Sequence, residues 1–435
     1  MTPRQFLKKY RYDKRLISGR FFPSAPLALE PGDRVGVVVL NLGGPDKVDD
    51  VRPFLYNLFM DPAIIDFPFG GGLRHALSNY IAKTRSKKVG HDYEVIGGGS
   101  PINRLTEEQA RRLEHVLNEK YGADAGVTFK TYIAMRYWHP FSEEAAVQME
   151  ADGITKVVLL PLYPHYSKTT TGSSLQYWWV LTEEKEIPAW PTTYVFEYAA
   201  NPKYVRAVSE RIDEALQRFP KHVRPDVHLV FSAHGTPVKE MKERRDPYCC
   251  LVHSTVEQVM NLRGNDRPFH VSFQSKVGPA EWLTPSTLDK LRDLGEQGVS
   301  AVCVIPIAFV TDHIETAYEL DVLVRAEAEH NGIEHFEVTS GLNCHPLFIE
   351  ALAEAVAAQV TLGGEPTGWR AEGDGAPYSA EYPLRPLDQM PRISTADRSC
   401  RCHQCERITE ARQWTDTHSD PVPSEPHTGS EGQST

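Results

Sequence analysis

Short apolar runs alternate along this chain with stretches whose apolar residues recur every three or four positions. The runs fall into two series, 35–42, 129–135, 156–163 and 192–196, then 227–231, 269–273, 301–307 and 335–338. VGVVVL and AVCVIPI are apolar throughout, as strands covered on both faces are. Between the runs the spacing predicts helices over 106–121, 142–151, 203–219, 285–296, 315–328 and 346–360. Strand–helix alternation of this kind implies parallel, doubly wound sheets. The expected fold class is therefore α/β, with two similar domains and a cleft between them. The expected division is an N-terminal arm over 1–33, a first domain over 34–190, a second domain with a closing helix over 191–362, and an extension over 363–435.

An insertion over 58–100 interrupts the first series. It joins the apolar LFMDPAIIDFPFGGG to the basic LRHALSNYIAKTRSKK. Leu58, Phe59, Met60, Ile64, Ile65, Phe67 and Phe69 supply its apolar character. A basic helix beside apolar loops suits an anionic membrane surface. It equally suits a lid packed over a cleft. From residue 361 onward Gly, Pro and charged residues dominate, and roughly the last twenty residues read as disordered.

Composition narrows the function classes. With 435 residues, 41% of them hydrophobic, the chain can bury a real core. A net charge of −11 and no basic face argue against a nucleic-acid partner. Seven cysteines do not make a disulfide scaffold, yet Cys400, Cys402 and Cys405 crowd together and point to metal chemistry. No apolar stretch approaches the roughly 20 residues of a membrane span. The basic N-terminus lacks a following apolar run and does not read as a secretory signal. The expected location is the cytoplasm.

In doubly wound sheets ligands bind at the carboxyl ends of strands. FSAHGTP places His234 at such an end, as a general base, a metal ligand, or a histidine satisfied by the backbone. IPIAFVTDHIETAYELD brings Asp312, His313, Glu315 and Glu319 to another. Asp312 and Glu315 match a capping box, which leaves Glu319, one turn beyond Glu315 on the same face, unexplained. A row of acids beside a histidine can carry protons or hydrated cations into a cleft. RYWHP offers Arg136 as a fork for a carboxylate and Tyr137 as a flat wall, or an arginine paired with a local acid and aromatics in the core. YPHYSKTTTGSS is dense in hydroxyls, and in GGGSPI the glycines allow close approach while Ser100 caps or binds a carboxylate. No P-loop and no GxGxxG follows the first strand, which argues against nucleotide chemistry. The groups suit a large, flat, apolar ligand bearing carboxylates, with protons or metal exchanged at its centre.

Eight segments, LNLGGP, IGGGSPI, RYWHP, LPLYPHYSKTTTGSS, FSAHGTP, DPY, FQSKVGP and PIAFVTDHIETAYELD, jointly resemble the ferrochelatases, in family order from about residue 35 to 360. The resemblance implies a Rossmann-like chelatase fold and a lyase that inserts Fe²⁺ into protoporphyrin IX to make haem. Some relatives metallate coproporphyrin III instead, and LNLGGP looks more like the protoporphyrin enzymes. By resemblance His234 accepts protons or contacts iron on one side of the ring. Glu315, with Asp312, His313 and Glu319, faces it from the other. Leu42, Arg85, Tyr93, Ser100, Arg136, Tyr137 and Phe309 match pocket and propionate-side positions. The apolar insertion resembles a lip that contacts the inner membrane peripherally.

Some ferrochelatases also hold a [2Fe–2S] cluster through three C-terminal cysteines and one internal cysteine. Cys400, Cys402 and Cys405 would be the three. The familiar internal position holds Lys168 here, so the fourth ligand must be Cys344, Cys250 or Cys249, with Cys344 slightly ahead. Cys303 sits inside a strand and reads as core. A zinc site and three free thiols are the rival readings of the tail. The rival from another functional class is a non-catalytic tetrapyrrole carrier, which has no need of both His234 and the acid row. Monomer and homodimer both stay open.

Overall fold

The computed structural model describes residues 26–65, 71–244, 246–275, 280–362, 365 and 366. A short strand β1 (Leu27–Leu29) precedes β2 (Arg34–Asn41). Helices α1 (Val51–Met60), α2 (Gly71–Val95) and α3 (Ile102–Leu117) lead to β3 (Thr128–Met135), α4 (Ser142–Ala151), β4 (Lys156–Pro161), α5 (Ser173–Glu183) and β5 (Thr192–Tyr194). The second half runs α6 (Pro202–Leu216), β6 (His228–His234), α7 (Val238–Arg244), α8 (Tyr248–Leu262), β7 (Phe269–Gln274), α9 (Thr287–Glu296) and β8 (Ala301–Pro306). A π-helix (Glu315–Val324) continues directly into α10 (Arg325–His330), followed by β9 (His335–Val338), α11 (Pro346–Ala357) and β10 (Val360–Leu362).

The two series of apolar runs become two parallel sheets, β3-β2-β4-β5 and β7-β6-β8-β9. In each, the first strand of the series lies inside the sheet and the next two flank it. Continuous apolar sequence is what such a position demands, because helices cover both faces. One apolar core runs from sheet to sheet. It joins Val35, Val37 and Val39 of β2 to Leu229 and Phe231 of β6 through Val205, Val208 and Ile212 of α6 and Phe348, Leu352 and Val356 of α11. Helix α6 starts where Asn201 accepts hydrogen bonds from the Lys203 and Tyr204 amides, with Pro202 in the first turn. Helix α11, the expected closing helix, packs against α3 of the first half and α6 of the second.

Three features depart from the sequence expectations. Part of the N-terminal arm belongs to the fold, since β1 pairs in parallel with β10, Leu27 opposite Val360. The helix expected over 315–328 begins as a π-helix. In the insertion, the described apolar residues between 58 and 65 turn inward. Helices α1 and α2 pack together, Phe59 and Met60 are buried, and Leu58, Ile64 and Ile65 lie against Tyr93, Tyr137 and Trp138. Phe67 and Phe69 lie outside the described residues, as do Cys400, Cys402 and Cys405. Among the described residues no helix is long and apolar enough to cross a membrane.

Candidate active site

Strand β6 ends on His234, and the chain beyond β8 passes Phe309 before entering the π-helix at Glu315. His234 Nδ1 lies 3.3 Å from Glu315 Oε2. His313 Nε2 approaches the same oxygen at 3.6 Å. His313 Nδ1 is 3.0 Å from the Thr311 carbonyl, which makes that nitrogen an N–H donor, so Nε2 can donate to Glu315 only when the ring carries both protons. Phe309 stands edge-on to His234, with ring centroids 6.2 Å apart, and also touches His313. Four residues beyond Glu315, both oxygens of Glu319 accept from Ser275 Oγ, at 2.9 and 2.8 Å. Ser275 holds a left-handed backbone (φ 64°) just past the end of β7, a conformation that non-glycine residues keep mainly at functional sites.

Charge in this cluster is not evenly settled. Burial opposes ionisation of Glu315, but the two imidazoles, His234 first, outweigh it and hold the carboxyl far below the usual range. Burial would lower the His234 pKa, yet contact with Glu315 wins and raises it. Burial, then the charge of Glu315, pushes Glu319 up. The result is a firm anion, a histidine that holds a proton well, and a second carboxyl that takes one readily. The His234 side chain keeps 39% of its surface exposed, so it opens outward from the sheet end.

The expected placement of imidazole and carboxylates on opposite sides of a flat ring is corrected by this geometry. A ring between them needs two van der Waals gaps of about 3.5 Å each, and the observed gap is 3.3 Å in all. The reason is topological. Strands β6 and β8 are neighbours, Ser232 opposite Pro306, so the residues just past their ends stand side by side. His234 and Glu315 stand together as one contacting pair.

Asp312 is engaged elsewhere. Its carboxylate accepts from the Gly341 amide at 3.0 Å and from Asn343 Nδ2 at 2.7 Å, so it secures the 341–343 turn rather than joining the row. The capping box does not form, because Ile314 stands at the N-cap of the π-helix without a side-chain cap.

The first half contributes a different surface. Tyr93 is buried and hydrogen-bonded to Ser100, and burial together with the Glu315 charge raises its pKa. The Ser100 amide donates to the Pro45 carbonyl at 2.8 Å. A Cβ on Gly44 would stand 2.5 Å from Ser100 Cβ, so the LNLGGP and GGGSPI loops interlock only with glycine there. Leu42 and Ile314, both half-buried, join the cluster of Tyr93 and Tyr137, which brings this apolar wall to the head of the π-helix.

Arg136 is engaged from within. Its Nη2 pairs with Asp61 Oδ2 at 3.0 Å and its Nε donates to Ser173 Oγ at 2.8 Å. Tyr137 OH donates to the same Asp61 oxygen at 2.8 Å, and Ser173 Oγ does so too. All four groups are buried, so the reading of an arginine paired with a local acid describes the site. Arg85 lies exposed on α2 with its guanidinium 5.9 Å above the Phe59 ring, and no described contact ties it to His234. Sequence reasoning missed Asp61 and Ser275. The signal for Asp61 was a lone acid within the apolar LFMDP; Ser275 carried none beyond its place in FQSKVGP.

Among the described residues no group of three or more His, Cys, Asp or Glu side chains is arranged to hold a metal. Cys249, Cys250 and Cys303 are buried, and burial pushes the Cys303 thiol up to about 12. Cys344, just before α11, keeps partial exposure beside Glu108.

Comparison with known proteins gives a consistent result. A family model described as Ferrochelatase matches residues 34–360. The chain is 43% identical over 328 residues to a ferrochelatase of Rippkaea orientalis, covering 74% of this chain and 82% of that protein. Ferrochelatases of Gloeothece citriformis (44% over 338 residues, 75% and 83% covered) and Synechococcus elongatus (44% over 324 residues, 74% and 82% covered) are similar to the same degree. Among solved structures, SirB from Bacillus subtilis with Fe³⁺ aligns with a TM-score of 0.42 and 13% identity over 75% of this chain and 95% of that one.

Proposed function

This chain belongs to the ferrochelatase family, and from that premise we propose that it inserts Fe²⁺ into protoporphyrin IX, with His234 as the proton acceptor. The observation that carries the reading is the His234–Glu315 contact at a sheet's carboxyl end. Metallation requires two pyrrole N–H protons to leave. A partly open imidazole can take one, and the firm anion of Glu315 stabilises the imidazolium that forms. Glu319, with its raised pKa, is the next station for a proton. His313 holds Glu315 from the far side and fixes its direction toward His234.

The apolar wall supports protoporphyrin over coproporphyrin III. Leu42, Ile64, Ile65 and Ile314 suit an edge that carries vinyl groups, whereas two further carboxylates would lose hydration there. Assaying Fe²⁺, Zn²⁺ and Co²⁺ against both porphyrins tests this. The expected result is faster metallation of protoporphyrin IX. Faster turnover of coproporphyrin III would reverse the substrate assignment, and binding without metallation would make the protein a carrier.

For the tail, the reading is a [2Fe–2S] cluster on Cys400, Cys402, Cys405 and Cys344. Cys344 fits the fourth place because it alone, among the described cysteines, keeps exposure, while Cys249 and Cys250 sit in the core. Lys168 is buried against Glu240, so that loop offers no ligand. When bound, such a cluster supplies a one-electron centre and a cross-link between tail and body. About two irons and two acid-labile sulfides per chain are expected, and Cys344→Ser should remove them; zinc, or no metal, would sink the cluster. The exposed face of α2, with Leu73, Tyr80, Lys83, Lys87 and Lys88, supports a cytoplasmic enzyme that touches an anionic inner-membrane surface.

A further inference from the structure

Behind His234 the two halves are joined by a buried set of charges that the steps above do not use. Lys168 follows β4 in the first half. Glu240 lies on α7, six residues beyond His234, and Asp246 lies between α7 and α8. Lys168 Nζ meets Glu240 Oε2 at 3.0 Å, and each side chain is only 5% exposed. Asp246, 3% exposed, accepts on Oδ2 from Ser167 Oγ at 2.9 Å and from the Lys168 amide at 2.8 Å. Its Oδ1 accepts from the Tyr248 amide at 3.0 Å, and its own amide donates to the Glu240 carbonyl at 3.1 Å. Beside this set, His165 Nε2 sits 2.9 Å from Thr255 Oγ1, a buried bond from the loop after β4 to the middle of α8.

A buried ion pair is weak evidence for stability, because well-packed apolar residues often serve as well or better. Its better-attested use is to specify one arrangement among several. Here the arrangement at stake is short-range. Only Gly235, Thr236 and Pro237 separate His234 from α7. A catalytic base must be held to within about half an ångström of its working position. Whatever anchors α7 therefore also places the imidazole.

We propose that Lys168, Glu240 and Asp246 are positioning residues for metal insertion: they clasp the segment that follows His234 to the loop after β4 and so hold the imidazole against Glu315. This rests on the reading of His234 as proton acceptor. Among the described residues, Glu240 lies close enough to Asp246 to act on its charge and Lys168 reaches it through its amide, with the Tyr248 phenol beyond, which feels both Asp246 and Glu315. Burial lifts the Asp246 carboxyl to about 7, and Glu240 adds to the rise against the pull of the Ser167 and Tyr248 donors. A neutral Asp246 accepts less well from three donors, so the clasp loosens below that pH.

The test uses the full chain with Lys168→Met, Lys168→Arg, Glu240→Gln and Asp246→Asn. It reads kcat and KM for the porphyrin, the pH profile, and the titration of His234 by histidine NMR. Lys168→Met, Glu240→Gln and Asp246→Asn should each lower kcat by about tenfold with KM changed less than about twofold. Each should also shift the His234 titration, and Lys168→Arg should recover kcat to within about threefold of the parent. Asp246→Asn, nearly the same shape, keeps the test alive if Lys168→Met does not fold. The clasp is overturned if Asp246→Asn and whichever Lys168 variant folds keep the parental kcat and His234 titration and change only thermal stability. Should the parent protein metallate no porphyrin, the proposed function fails on its own. The NMR titration would still decide the clasp.

Discussion

Beyond β3, Arg136 meets Asp61; at the end of β6, His234 meets Glu315, which lies beyond β8. The sheets share one strand order, and each pair joins a basic side chain to an acid at a carboxyl end. In the first pair the side chains are 4% and 0% exposed, and Asp61 collects donors from Arg136, Tyr137, Ser173 and the Ala63 amide. Its basic partner is a guanidinium, which stays protonated at any physiological pH. In the second pair the exposures are 39% and 23%, and the basic partner is an imidazole whose charge is within reach. Similar ingredients thus give a sealed ion pair at one sheet and a partly open pair with a titratable base at the other. Residual exposure and a titratable partner make the difference, not the presence of an acid and a base.

The sharpest way to break this contrast is to remove each base in turn. His234→Ala should cut kcat/KM by about a thousandfold, roughly 4 kcal/mol of barrier, and lower the unfolding midpoint much less than Asp61→Ala does. A large loss of stability with a small loss of rate would merge the two sites into one class. Asp61→Ala should do the opposite. It strands the buried Arg136 guanidinium and should lower unfolding free energy by about 3–5 kcal/mol in denaturant titrations, with the pH profile of the surviving enzyme unmoved.

A smaller effect sharpens the second site. Glu315 raises the His234 pKa, so the free base grows scarce as pH falls through that raised value. Glu315→Gln should move the acid limb of the kcat/KM profile to lower pH; an unmoved limb would separate the two residues functionally. The linked stability runs the other way. The His234 contribution is complete below its ordinary value of 6.5 and fades as pH rises through the raised one. The smallest effect is expected from Asp312→Asn. It should change kcat/KM less than about threefold and cost about 1 kcal/mol of stability, since the carboxylate serves the 341–343 turn. A hundredfold loss would return Asp312 to the acid row.

Much of the fold was legible from the chain. VGVVVL and AVCVIPI read as buried parallel strands and are β2 and β8. The position of His234 at a strand end was legible too, because FSAHGTP breaks from apolar run to turn residues at that point. The π-helix was not, since a row of residues four apart fits an α-turn as well as a wider one. Nor was the partner of Arg136. RYWHP left a ligand carboxylate and a local acid equally open, and Asp61 lies 75 residues away.

The order of amino acids by itself determined the two strand series, the parallel sheets and the candidate side chains at their ends. These follow from hydrophobic period and turn chemistry between neighbours in the chain. Tertiary structure alone decided which carboxylate is neutralised, which is shared between imidazoles, and that His234 and Glu315 stand on one side together. Those outcomes depend on distances between groups 75 and 81 residues apart and on how far water reaches them, and neither is a property of local sequence.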